Sequence, residues 1–228
     1  MNSVLLSENY LKKECRFSLG FNFTRDRFSF DLKKRGKSNY NVNSMLRILK
    51  HLFYYAIDIH DVFMKNPCVG LKPFPIEKKV KVIPTNEEFE EVLLACRRDE
   101  QLLLLFIMET GCRVNEAIAF SDKDILEDEI VLYTRKSRNS NLTFRKVPIP
   151  DCIKGIKFEG RLIDTWSQYP RFLEKRTRKL KHRRWAYHSL RHRYASRLSK
   201  QNKPLFEIMV LLGHNNLSTT QHYLQMLP

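Results

Sequence analysis

The sequence predicts a mostly α-helical protein with a small β-sheet, built as two domains. Three observations carry this. Residues 41–65 repeat apolar side chains at three-and-four spacing, the mark of one buried helix face. Residues 72–84 hold three prolines, four lysines and no helical period, which marks an extended linker. Residues 129–134 and 145–149 alternate apolar and polar positions, as half-buried strands do.

Taken in order, 4–17 is expected to form a short helix and 25–36 a second, ending at Gly36. The 41–65 helix buries Val42, Met45, Leu46, Leu49, Leu52, Phe53, Ala56 and Ile57. It stops at Asn66-Pro67, because the residue before proline resists helical geometry. The linker divides the chain into a helical first domain, 1–72, a linker, 73–84, and a second domain, 85–228. Thr85, with Glu88 three residues on, forms a capping box for a helix running to residue 97. A more apolar helix over 100–110 stops at Gly111, and 113–120 continues as helix. A polar loop, 135–141, joins the two strands. Further helices are expected over 162–173, 189–200, 205–212 and 218–226.

With 43% hydrophobic and 29% charged residues, the composition is that of a globular protein, not a disordered one. Its 41 Lys and Arg against 25 Asp and Glu give a net charge of +16, which favours a polyanionic partner, nucleic acid first. The excess is clustered: 171–184 holds eight basic residues and one acid, Glu174, beside His188. A phosphate-backbone contact is expected of Lys175, Arg176, Arg178, Lys179, Lys181, Arg183 and Arg184. Five scattered cysteines without a CxxC argue against zinc and for reduced thiols in a cytosol-like compartment. No apolar run approaches the roughly 18 residues of a membrane span, and the N-terminus lacks the pattern of a secretory leader.

The residues with chemical potential lie in two places. One is Thr110-Gly111-Cys112-Arg113-Val114-Asn115-Glu116. The other is the last quarter, with His188-Ser-Leu-Arg191-His192, then Leu212-Gly213-His214, then Tyr223. Arg191 falls three residues after His188, so both project from one helical face. Lys136 sits at the end of the first strand. This set suits breaking and rejoining a phosphodiester without metal or nucleotide. A tyrosine can attack phosphorus and later leave, keeping the bond energy as an ester. Arginines give fixed donors to the five-coordinate phosphate, and a lysine or histidine moves the proton.

These motifs, in this order and at this spacing, resemble those of the tyrosine recombinase family, the phage integrase type. The likeness is strong over 85–223 and faint over 1–72. The resemblance implies a catalytic domain over 85–228 and a short core-binding-like helical domain before it. It implies that Arg113 and Arg191 clamp the scissile phosphate, that Lys136 is the general acid, and that His188 assists proton transfer. His214 would bond the phosphate, Tyr223 would form the 3′-phosphotyrosine, and Glu116 would brace the site from behind. The implied partner is double-stranded DNA at a specific site, met by a homo-tetramer, with accessory DNA-bending proteins possible. No cofactor, no metal and no membrane are expected. The setting would be a prokaryotic cytoplasm, or a host cytoplasm for a viral protein.

Three departures stand out: a short N-terminal domain, only five residues after Tyr223, and Asn202 where relatives often carry glycine. Asparagine tolerates left-handed backbone, so the last is neutral. Singly, each residue has a plainer reading. Arg113 can pair with Glu116, His192 can pack, and Tyr187 and Tyr194 suit the core. Arg135 and Arg138, with Arg145 and Lys146, lie close enough to Lys136 that any of them can be the acid or touch phosphate. Two rival functions remain at this stage: a non-catalytic DNA-binding protein on the same fold, and a type IB topoisomerase-like strand-relaxing enzyme.

Overall fold

Ser38 starts the longest described helix. Its hydroxyl accepts from the backbone N–H of Asn41 (3.3 Å), which satisfies one of the orphan donors of the first turn. The computed structural model describes residues 25–77, 82–135, 141–181, 185–214, 216 and 220–221. The expected 4–17 helix lies outside them. The chain divides into two compact units, Met1–Lys78 and Lys79–Pro228.

In the first unit, α1 (Arg25–Lys34) and α2 (Asn39–His60) bury Leu32, Val42 and Leu46 together, with Leu71 and Phe74 packed against them. Asn43 of α2 makes two bonds to the Phe74 backbone. Its Nδ2 donates to the carbonyl (2.9 Å) and its Oδ1 accepts from the N–H (2.8 Å). Asn39 donates to the carbonyl of Pro75 (2.7 Å). Residues 71–75 are therefore fastened to α2, although the sequence reads 72 onward as linker. Helix α2 also stops at His60, short of the expected residue 65. Asp61 adopts left-handed backbone (φ 49°), and Val62 N–H closes on the Ala56 carbonyl (3.2 Å). Met45 and Leu52, expected inside, are 41% and 59% exposed.

The second unit is organised around α4 (Arg98–Thr110), whose Leu103, Leu104, Phe106 and Ile107 are fully buried. Such a helix reads as apolar on more than one face because it is covered on more than one side. Helix α3 (Asn86–Leu94) begins with the capping box read from the sequence. Glu88 N–H donates to the Thr85 hydroxyl (3.2 Å), and Thr85 N–H donates to the Glu88 carboxylate (2.9 Å). Short α5 (Val114–Ala119) leads to the antiparallel pair β1 (Glu129–Thr134) and β2 (Thr143–Pro148), paired so that Leu132 faces Arg145 and Thr134 faces Thr143. Helices α6 (Phe172–Lys179), α7 (Tyr187–Lys200) and α8 (Leu205–Leu212) follow. Among the described residues no helix is long and apolar enough to cross a membrane.

The expected helix over 162–173 is absent. Its start is instead held as an isolated antiparallel bridge: Leu162 N–H reaches the Phe120 carbonyl (3.0 Å), and Arg161 bridges Ser121. At the other end Pro170 disfavours helix before it. Trp166 and Tyr169 pack as individual aromatics, on Phe172 and Tyr187 respectively. Helix α6 starts only at Phe172. The end of α7 is as Asn202 allows. Its φ is 56°, and Lys203 N–H closes on the Leu198 carbonyl (3.1 Å).

Candidate active site

The Thr-Gly-Cys-Arg stretch is a helix end followed at once by a helix start. Gly111 ends α4 in left-handed geometry (φ 63°), which glycine adopts without steric cost. A Cβ there would lie 2.3 Å from Cδ1 of Tyr194. Gly111→Ala therefore combines strained backbone with overpacking. It is expected to lower unfolding free energy by about 2–4 kcal/mol, read from the denaturant midpoint.

Arg113 is the N-cap of α5, and Glu116 reaches back to it. One carboxylate oxygen accepts from the Arg113 N–H (3.1 Å) and the other from its Nη1 (2.8 Å). The motif Arg-x-x-Glu is thus a helix-capping device that also aims a guanidinium. Glu116 takes two further donors: Nη2 of Arg145 (2.7 Å) and the hydroxyl of Thr134 (2.7 Å). Burial alone would raise this carboxyl. The Arg145 charge, with the hydrogen bonds from Arg145, Thr134 and Arg113, overcomes that and brings it down to about 2. Glu116 is buried, whereas the Arg113 side chain keeps 37% exposure. Arg113 is held from behind and open in front.

Arg191 is almost fully buried, at 1% exposure, an unusual place for an arginine. Its Nη1 donates to the Gly111 carbonyl (2.7 Å) and its Nη2 to the Leu212 carbonyl. It therefore joins the end of α4 to the end of α8. Helix α8 closes with Gly213 at φ 64°. Gly213 N–H reaches Val210 (2.9 Å) and His214 N–H reaches Met209 (3.0 Å). Leu-Gly-His is thus a Schellman turn that presents His214 as the first residue past the helix. Cationic Arg145 and Arg191 both sit on the last carbonyls of α8, where the helix dipole is negative.

His214 Nδ1 lies 2.9 Å from the Thr220 hydroxyl. Burial first, then the positive charges of Arg191, Arg113, His188 and Arg145, hold its imidazole down to about 4. His188, exposed on the first turn of α7, packs edge-on to buried His192 at 4.7 Å. Thus Arg113, Glu116, His188, Arg191 and His214 converge from α5, α7 and the α8 turn. Lys136, Arg138, Arg183, Arg184 and Tyr223 lie outside the described residues.

The neighbouring candidates are placed away from this chemistry. Burial pushes the Cys112 thiol up to about 12, so it is no thiolate at neutral pH. Tyr187 and Tyr194 are buried phenols, both pushed up by desolvation, and Tyr187 donates to the Pro170 carbonyl (3.1 Å). Arg135 is exposed just past β1, and Lys175, Arg178, Lys179 and Lys181 are exposed on and after α6. Arg176 differs from what the sequence suggests. It pairs with buried Glu100 at 2.8 Å, so its guanidinium holds α6 to the start of α4. Arg145 also departs from expectation. The sequence offers it as a surface contact or proton donor, but its side chain is 5% exposed and committed to Glu116. Among the described residues no group of three or more His, Cys, Asp or Glu is placed to hold a metal.

Comparison with known proteins gives a consistent result. The model of the phage integrase family matches residues 164–228. The tyrosine recombinase XerA of Thermococcus onnurineus is 27% identical over 218 residues, covering 86% of this chain and 74% of the relative. The integrase of Escherichia phage P2 is 23% identical over 202 residues, covering 86% and 58%. Among solved structures, a lambda integrase dimer bound to a COC′ core site matches 98% of this chain and 72% of that one, with TM-score 0.69 and 16% identity. XerH recombinase bound to its difH substrate covers 89% and 67%, with TM-score 0.65 and 20% identity. At such identities the structural likeness speaks for the fold. The fold is that of tyrosine recombinase catalytic domains, residues 164–228 match the phage integrase family, and most of the chain is similar to tyrosine recombinases.

Proposed function

We propose that the chain cleaves and rejoins double-stranded DNA at a specific site through a 3′-phosphotyrosyl intermediate on Tyr223, without metal or nucleotide. The observation that carries this is the convergence of Arg113, Arg191, His188 and His214 on one space, with Glu116 buried behind it. Arg113 and Arg191 stabilise the charge that develops on the phosphate oxygens. His214 donates a hydrogen bond to them, its ring held by the Thr220 hydroxyl. His188 and Lys136 handle the protons of the attacking phenol and the leaving 5′ oxygen. Tyr223 lies nine residues beyond His214 in the chain. The exposed bases at Arg135, Lys175, Arg178, Lys179 and Lys181, with Arg138, Arg183 and Arg184, contact the DNA backbone. The first unit grips the duplex as a core-binding domain, and four copies assemble on two sites. DNA chemistry on these terms belongs in a prokaryotic or host cytoplasm.

A proton linkage follows. Phosphate placed among the cations raises His214 from about 4. DNA binding is then expected to take up a proton, and affinity to rise as pH falls below neutral toward about 4, where free His214 titrates. Calorimetry in two buffers of different ionisation enthalpy reads the uptake, and His214→Gln should remove it.

The function is tested with a plasmid carrying two copies of the duplex selected by binding to this protein from random DNA, in EDTA and without ATP. Site-dependent deletion or inversion, lost in Tyr223→Phe, is expected. Relaxation of any supercoiled plasmid regardless of site would point to a topoisomerase instead. Tight binding with no change of topology would point to a non-catalytic DNA-binding protein.

A further inference from the structure

We propose that Arg145 is the positioning residue of the site, fixing Arg113 and the His214 turn relative to each other without touching the phosphate. The proposal rests on the strand-cleavage reading above and adds to it a residue that binds the site together.

Strand β2 should present alternate residues to solvent, and Phe144 and Lys146 do face outward. Arg145 faces inward with Val147, so a guanidinium occupies a core position of a two-stranded sheet. Burying that charge is costly unless every donor is matched. Here it meets three segments. Nη2 donates to Glu116 on α5 (2.7 Å), Nη1 to the Thr134 hydroxyl at the end of β1 (3.2 Å), and Nε to the Leu211 carbonyl at the end of α8 (2.8 Å). Arg145 also packs directly under the His214 turn. A Cβ on Gly213 would lie 3.1 Å from its Cδ and Nη1. Through Glu116 it reaches Arg113, through Leu211 it reaches the turn bearing His214, and Thr134 ends β1 two residues before Lys136.

Charge gives the arrangement its consequence. One carboxylate, Glu116, is shared between two guanidiniums. While Arg145 takes one oxygen, Arg113 is only partly neutralised and stays available to a phosphate. Without Arg145, Glu116 has Arg113 as its remaining charged partner and draws it into a full ion pair. Arg113 then leaves the position where it meets the transition state. A misplacement of about 1 Å costs on the order of 100-fold in rate.

The test measures single-turnover formation of the covalent complex on a nicked duplex carrying the selected site, together with affinity for the same duplex. Three variants of the full chain are compared with wild type: Arg145→Met, Arg145→Lys, and Arg145→Met combined with Glu116→Gln. Arg145→Met should slow covalent-complex formation about 100-fold, with affinity within about threefold. Arg145→Lys, which keeps the charge and one bond, should recover about tenfold of that loss. Adding Glu116→Gln to Arg145→Met should raise the rate above Arg145→Met alone, because a neutral amide still accepts from Arg113 at the cap but no longer draws its guanidinium into a full ion pair. A purely structural role predicts the opposite, since removing a second buried partner would lower the rate further. The proposal is overturned by a double variant no faster than Arg145→Met, or by Arg145→Lys cleaving like wild type. The Lys comparison stands even where Arg145→Met fails to fold. If wild type binds the duplex but forms no covalent complex, the cleavage reading itself falls and takes this proposal with it. Wild-type cleavage with wild-type rates in the variants would overturn this proposal alone.

Discussion

Arg191→Lys is expected to slow strand cleavage by about 100- to 1,000-fold while leaving DNA affinity within a few-fold. The reason is geometric. The guanidinium is planar and donates in fixed directions, whereas an ammonium is a compact point charge on a flexible stem. Arg191 uses its plane to hold the Gly111 and Leu212 carbonyls, the ends of two helices. A lysine ammonium cannot reach both, so the helix ends that carry Arg113 and His214 lose their shared tie. Affinity is held mainly by the many backbone contacts of the basic surface, which this change leaves alone. The same substitution should also cost stability, because one helix-end carbonyl loses its donor, about 1–3 kcal/mol. Single-turnover cleavage and a binding isotherm on one duplex separate the two effects. Equal loss of affinity and rate would mean that Arg191 only holds the fold.

The parts of the fold written in local chemistry were legible. The Thr85–Glu88 capping box, the stop at Gly111, the 205–212 helix and the strand at 129–134 all follow from short-range rules, and the structure has each. What failed depends on distant partners. The 162–173 segment has helical periodicity, yet its start is tied as an isolated antiparallel bridge to Phe120–Asp122, about forty residues earlier. Helix α2 has an apolar stripe to residue 57, but Met45 and Leu52 on it are exposed. Periodicity shows that a face exists, not what covers it.

The site follows the same division. Arg113, Glu116, His188, Arg191 and His214 were found through motifs, and the structure shows what two of those motifs build: a helix cap at Arg113–Glu116 and a helix-ending turn at Gly213. Thr134 was not singled out, and Arg145 was named only among the bases near Lys136 that can be the acid or touch phosphate. In sequence Arg145 is one more base in a basic hairpin. Its meaning appears only when Glu116, 29 residues away, is placed against it. The one available signal was parity: Arg145 lies two residues before Val147, so an alternating strand puts both on the same, inward face.

Glu116→Leu is expected to be the most damaging change to stability. Removing the carboxylate leaves Arg145 buried without its charge partner and Arg113 without its anchor. Breaking a buried pair from one side costs about 3–5 kcal/mol. The acid limb of stability gives an independent check. Glu116 is held at about 2, against an ordinary 4.5. A carboxyl depressed in the folded state stabilises fully above its unfolded value, and that contribution is lost as pH falls from about 4.5 toward 2. By linkage it amounts to about 3 kcal/mol. The acid-unfolding curve of wild type should therefore be steeper in that window than the curve of Glu116→Gln. Superimposable curves would mean that the carboxylate is not held by Arg145 and Arg113 as described. Such a result would also remove the brace on which the aim of Arg113 depends.

The measurement that bears most directly on the whole account is covalent trapping. The selected duplex, nicked so that the cleaved end diffuses away, is incubated with protein in EDTA and run on a denaturing gel. The account predicts a protein–DNA band that forms without metal or ATP, is lost in Tyr223→Phe, and carries the DNA through its 3′ phosphate. Tight, site-specific binding with no such band, or a band that persists in Tyr223→Phe, would contradict it.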